Sequence, residues 1–194
     1  MNQALIAAKK SIAIDAYSEI GHWSLAEVYC NLGDNRRGIS ELEKTLEINP
    51  NNPDVMLSKG TMLCFIGQFD EGLKLMQQGI EFNKHYPQWY FWNLGIGLFA
   101  GHQWQDCIDA LIRMDDQNKD TLTFLSACYV LTENLAQARA CFAELTQLDP
   151  EINPAEIEKS HSYLAYESLQ LLIDSIGVLM ADERSQDRLK VVKT

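Results

Sequence analysis

The chain has 194 residues, 46% of them hydrophobic and 22% charged, which suffices for one domain or one array of small units around a buried core. Its net charge of −11 repels phosphate backbones and anionic lipid surfaces, and with no Lys/Arg stripe present it argues against DNA and RNA as partners. No apolar run approaches the ~18 residues of a membrane-spanning helix, and five cysteines without a C-x-x-C pair argue against a disulfide framework or a zinc site and point to a reducing, cytoplasmic location.

Apolar residues recur at helical spacing nearly everywhere and no stretch sustains the period of a strand, so the chain is predicted to be all-α. The opening stretch "MNQALIAAKKSIAID" interrupts its apolar patch at Lys9 and Lys10 and lacks the basic-then-apolar order of a signal peptide. It reads as a single helix within residues 1–18. Stop signals at "NLGDN", "INPNNPD", "FIGQ", "NKHYP", "AGHQ", "DDQNKD", "LTEN" and "LDPEINP" then divide residues 19–152 into helices of 11 to 14 residues. Helices this short are marginal alone in water and gain their stability by packing on neighbours.

Local chemistry supports these boundaries. Asn52 precedes Pro53, and Asn153-Pro154 with Glu156 combines an N-cap, a first-turn proline and a capping-box glutamate. The segment 153–181 is longer and amphipathic, with Leu164, Leu171 and Val178 on one track and Leu169, Leu172, Ile176 and Leu179 on another. It is predicted to be a helix that caps the last unit, with folding back into the groove as the alternative. Residues 182–194 are predicted to form a polar tail.

Residues 19–152 repeat. The units are "WSLAEVYCNLGDNRRGISELEKTLEINPNN", "MLSKGTMLCFIGQFDEGLKLMQQGIEFNKH", "FWNLGIGLFAGHQWQDCIDALIRMDDQN" and "LTFLSACYVLTENLAQARACFAELTQLDPE". Each first helix carries a small residue (Ala26, Gly60, Gly95, Ser126) and, three later, a large one (Tyr29, Leu63, Leu98, Tyr129). Each second helix repeats the device with Gly38, Gly72, Cys107 and Ala138, followed four later by Leu42, Met76, Leu111 and Phe142. Small side chains let paired helix backbones approach, and large ones fill the grooves beside them. The spacing between the first-helix small residues is 34, 35 and 31, so the last unit is compressed, which fits a short second helix in the third.

These units resemble tetratricopeptide repeats. The resemblance implies an α-α superhelix of about four repeats, a non-enzymatic scaffold for protein or peptide partners. "QALIAAKKSIAIDAY" matches the second helix of a preceding unit, so the array is expected to begin before the first residue. More narrowly, "HYPQWYFWNLGIGLFAGHQWQDCIDAL" and the segment from "LDPEINP" onward are similar to the C-terminal repeat region of bacterial class III nucleotide cyclases and winged-helix transcriptional regulators. That similarity implies a regulatory or oligomerisation segment of a larger signalling protein, with a homo-oligomer as one form. An export-type chaperone sheltering a client in the same groove is a third reading.

The stretch "WYFW" (89–92) cannot form one stripe at 100° per residue. Phe91, Leu94, Gly95 and Leu98 are assigned to the partner helix, Tyr90 to the preceding unit, and Trp89 and Trp92 with Ile96 and Phe99 to the concave groove. The other first helices add Trp23 and Glu27, then Leu57, Thr61 and Phe65, then Phe124 or Thr123 according to register. The groove is thus expected to be apolar and aromatic, as partner surfaces are. The lysine and asparagine clamp with which some tetratricopeptide domains hold acidic chaperone C-termini finds Trp23, Glu27, Ser58, Trp89 and Asn93 in its places, so an acidic terminus would meet Glu27 and no cation.

Catalytic and metal chemistry find little support. His22, His85, His102 and His161 show no metal-ligand spacing. "DDQNKDTLTFLSA" starts like an EF-hand loop but has Thr121 at the required glycine and Ala127 at the bidentate glutamate. No nucleophile elbow, P-loop or dinucleotide fingerprint occurs. The sequence predicts no cofactor, no metal and no enzyme.

Overall fold

The structure, a computed structural model, describes residues 2–191, and the side chains of residues 3–182. Among the described residues every regular element is a helix. After α1 (Asn2–Ile14), four antiparallel pairs follow: α2 (Glu19–Asn31) with α3 (Asn35–Ile48), α4 (Pro53–Phe65) with α5 (Phe69–Phe82), α6 (Trp89–Ala100) with α7 (Trp104–Leu111), and α8 (Lys119–Leu131) with α9 (Leu135–Leu148). The chain ends in α10 (Pro154–Ser160) and α11 (Tyr166–Val191). Successive pairs stack into an α-α superhelix.

One turn, used four times, joins the members of each pair. The backbone N–H groups of Asp34, Gln68, Gln103 and Asn134 each reach back five residues, to the carbonyls of Tyr29, Leu63, Leu98 and Tyr129, at 2.8–2.9 Å. This satisfies a carbonyl that the end of each first helix leaves without an intrahelical donor. The left-handed position it requires is held by Gly33 and Gly67 in the first two pairs, but by His102 and Glu133 in the others, where a side chain bears the strain. Polar side chains start many of the helices: Asn52, Asn118 and Asn153 accept from the first-turn N–H groups of α4, α8 and α10.

Backbone approach is closest in the second pair. A Cβ built on Gly60 would lie 2.6 Å from the Gly72 carbonyl oxygen, and one on Gly72 would lie 2.5 Å from that of Gly60. Gly38 approaches the Ala26 carbonyl in the first pair, Gly95 faces Leu111 in the third, and Ser126 and Ala138 are wholly buried in the fourth. The repeated small residues therefore lie at the crossings, and Leu42, Met76, Leu111 and Phe142 fill the core beside them. Unit-to-unit contact is specific as well: the buried Tyr90 donates its hydroxyl hydrogen to Asp54 of the preceding pair and accepts from Asn83 at 3.3 Å.

The C-terminal segment departs from the sequence expectation. It is not one helix over 153–181 but two, separated by residues 161–165, and the region expected as a polar tail continues α11 to Val191; residues 192–194 lie outside the described residues. Helix α11 packs on α8 and α9 through Leu172, Ile176 and Leu179, while Val178 stays 52% exposed. The break arises because residues 161–164 leave the helical path to meet the first two pairs. Asn35 donates to the Tyr163 carbonyl at 3.0 Å across 128 residues of sequence, and the Tyr163 ring rests against Phe65 at 5.0 Å. Helix α11 lies against the last pair, and it is the intervening strap, not a helix, that reaches the first two pairs of the array.

Gly60→Ala should lower the unfolding free energy by about 2 kcal/mol, because the new methyl meets the Gly72 carbonyl oxygen at 2.6 Å, which cannot swing aside, as well as the buried Met76 side chain. Gly177→Ala, in a helix with nothing within 4 Å of the new Cβ, should raise it by about 0.5–1 kcal/mol. Urea titrations of the two variants measure both, and equal effects would contradict the close crossing.

Candidate functional site

The first helices α2, α4, α6 and α8 share one hollow, and the strap crosses it. What remains is a pocket of about 370 Å³ whose wall takes residues from all four helices and from the strap. Glu27, Thr61, Phe65, Trp92 and Ile96 meet there, which brings together half of the groove positions named from sequence. Trp92 is half-buried, its ring edge-on to Phe124 at 5.6 Å, so one side is fixed by the core and the rest borders the pocket.

The remaining positions are placed differently. Leu57, Phe99 and Phe124 have no exposed surface; four units wound this tightly turn them into the core between helices, where Phe99 and Phe124 stack edge to face at 4.9 Å. Thr123, the alternative to Phe124, is also buried. Trp89 does not join Trp92: it lies edge-on to Tyr90 at 4.5 Å, outside the pocket wall. Trp23 stands beside the pocket without lining it, donating its indole N–H to Ser58 Oγ at 3.1 Å and to Glu27 Oε1 at 3.3 Å.

Sequence reasoning missed Lys119 and Asp120, which open α8 within the pocket wall, because the compressed spacing before that helix obscured its register. It also gave no role to Ser160, His161 and Tyr163, whose position depends on a reversal of the chain that no local signal marks. The pocket is more polar than expected, with Asn31, Ser58 and Asn93 between its aromatic residues.

The titratable groups differ in their surroundings. Glu27 remains open to solvent, yet the crowded concave wall raises its carboxyl above the ordinary value, an effect reduced by hydrogen bonds from Ser58 and Trp23. Burial pushes the Cys30 thiol up to about 12, with the Glu27 charge adding to it, so the thiol stays protonated and unreactive. Burial lowers the basicity of His161, opposed by the Ile157 carbonyl, which its Nδ1 meets at 3.1 Å, and by Asp120, 3.7 Å from Nε2. Neutral imidazole therefore fixes the strap against Phe124, 5.3 Å away.

Neither a scan against protein-family models nor a search of curated proteins finds a match. Solved structures do match. MamA (residues 41 to the end) from Desulfovibrio magneticus RS-1 superposes with a TM-score of 0.59 at 19% identity, covering 77% of this chain and 85% of that one. YrrB, described as a TPR protein with an unusual peptide-binding site, gives 0.57 at 17% identity over 93% and 98%. The chain has the fold of a tetratricopeptide-repeat array. PilW, a type IV pilus biogenesis factor, gives 0.68 at 18% identity over the whole of this chain and 90% of its own. Identities this low establish the fold of the array alone. The narrower similarity to cyclases and regulators gains no support from these matches. Among the described residues of the array no helix is long and apolar enough to cross a membrane.

His161 gives the strap a pH signature. Its folded-state pKa lies below the ordinary 6.5, so the unfolded chain takes up the proton first as pH falls. The stability from the neutral ring is fully present above 6.5 and is lost as pH drops through the folded value. Urea unfolding from about pH 7 down to about pH 5 should show a steeper loss for the wild type than for His161→Gln. Parallel curves would mean that the ring is not held neutral in the strap.

Proposed function

We propose that the array is a non-enzymatic interaction scaffold that holds a peptide or helical segment of a partner protein on its concave face, with Trp92 as the anchor. The supporting observation is the pocket itself: a cavity of about 370 Å³ reached from the concave side, with Trp92, Phe65 and Ile96 in its wall. Half-buried aromatic anchors of this kind contribute disproportionately to binding, commonly ~2 kcal/mol or more each. The strap lies where part of such a segment would lie, so the partner extends the surface begun by residues 161–164 or takes their place.

YrrB's description names a peptide-binding site for that protein; a similar use of the concave face here is our reading. The five free cysteines, three of them buried, fit a reducing compartment, and the cytoplasm is the location we favour.

Capture from a lysate of the source organism with immobilised protein, followed by affinity measurement on the recovered partner, tests the proposal. Trp92→Ala should weaken binding by about 30-fold, the equivalent of ~2 kcal/mol. Val178→Ala, on the exposed side of α11, should leave it unchanged. Equal capture by Trp92→Ala and wild type would rule out the groove as the binding surface.

A further inference from the structure

The charges around the pocket are unbalanced. Glu27 enters it from α2 and Asp120 from α8, and among the described residues Glu27 has no cationic group within 4 Å. Asp120 has only His161 at 3.7 Å, a ring whose burial keeps it uncharged near neutral pH. The cation in the pocket wall, Lys119, is engaged by Asp149 at 3.4 Å. Two carboxylates thus share a partly enclosed space with the rings of Trp92, Phe65 and Tyr163, and the cation in its wall, Lys119, has Asp149 as its partner.

Carboxylates beside aromatic rings attract an ammonium or guanidinium group twice over, through direct charge and through the ring quadrupoles. Partial enclosure strengthens both relative to open water. The volume lies near the lower end of the ~300–1,000 Å³ range typical of small-ligand sites, which suits one long side chain better than a whole helix. Asn31, Ser58 and Asn93 offer acceptors for the remaining N–H groups. The surrounding field agrees in sign: residues 101–181 hold thirteen Asp/Glu against four Lys/Arg, a net −9, which draws cationic segments toward this half of the array.

We propose that the pocket receives the side chain of an arginine or lysine from the bound partner segment, its cationic end between Glu27 and Asp120 and its aliphatic stem along Trp92 and Phe65. This rests on the reading of the concave face as a peptide site and specifies what that site selects. It is opposite in sign to a carboxylate clamp, since an acidic side chain would meet two like charges here.

The test uses synthetic peptides identical except at one central position, which is arginine, lysine, citrulline or glutamate, flanked by leucine and glycine, titrated calorimetrically into the full chain. The arginine and lysine peptides should bind about ten-fold or more tightly than the citrulline peptide, as expected for a charge-assisted contact, and the glutamate peptide should bind most weakly. Glu27→Gln and Asp120→Asn should each lower the arginine-peptide affinity several-fold and leave the citrulline-peptide affinity unchanged, with unaltered thermal unfolding showing that both variants are folded.

Equal binding of the arginine and citrulline peptides would overturn the charge selectivity and leave the peptide site standing. Preference for glutamate would overturn it outright. Binding of none of the peptides would overturn this inference, while the effect of Trp92→Ala on a captured partner decides the peptide site separately.

Discussion

The architecture depends on how closely α4 and α5 cross at Gly60 and Gly72, where a methyl on either glycine would lie 2.5–2.6 Å from the other's carbonyl oxygen. Helices of 12 to 14 residues cannot hold themselves in water. They persist here because absent side chains let backbones approach and let Met76, Leu111 and Phe142 fill the flanks. Repeating that crossing four times, with one turn geometry between members, fixes which helix of each pair faces inward. Apart from Ser160 at the end of α10, every residue of the pocket wall that lies before the strap comes from a first helix, so the site is a consequence of the crossing.

The strap changes what the hollow is. An open superhelix of four pairs would present a long groove, and Phe65 would face solvent. Residues 161–164 instead connect the last pair to the first through the Asn35–Tyr163 hydrogen bond and to the second through the Phe65–Tyr163 ring contact. A long groove becomes a pocket, and a surface expected to be apolar becomes a mixed one with two carboxylates.

Much of this was legible in the sequence, for reasons that can be stated. Gly60, Gly72, Ala26 and Ser126 recur at spacings that only paired helices explain, and their burial in the crossings follows from steric necessity. Tyr90 was assignable to the preceding unit because one helix has only so many faces, and its bond to Asp54 lies there. Periodicity could not separate Trp92 from Phe99 and Phe124: all three face inward, and how far each is sealed depends on the winding of neighbouring units. Nor could it find Tyr163, because the hydrogen bond that positions it joins residues 128 apart.

A 22.0 kDa chain is within reach of nuclear magnetic resonance, and the strap's ring contact is the most direct measure of the account. With the aromatic rings of Phe65 and Tyr163 selectively labelled, their centroid separation of 5.0 Å predicts strong nuclear Overhauser cross-peaks between them in the free protein. Absence of those cross-peaks, with ring signals of Tyr163 matching a solvent-exposed tyrosine, would show an open groove and contradict the pocket on which the proposed binding rests.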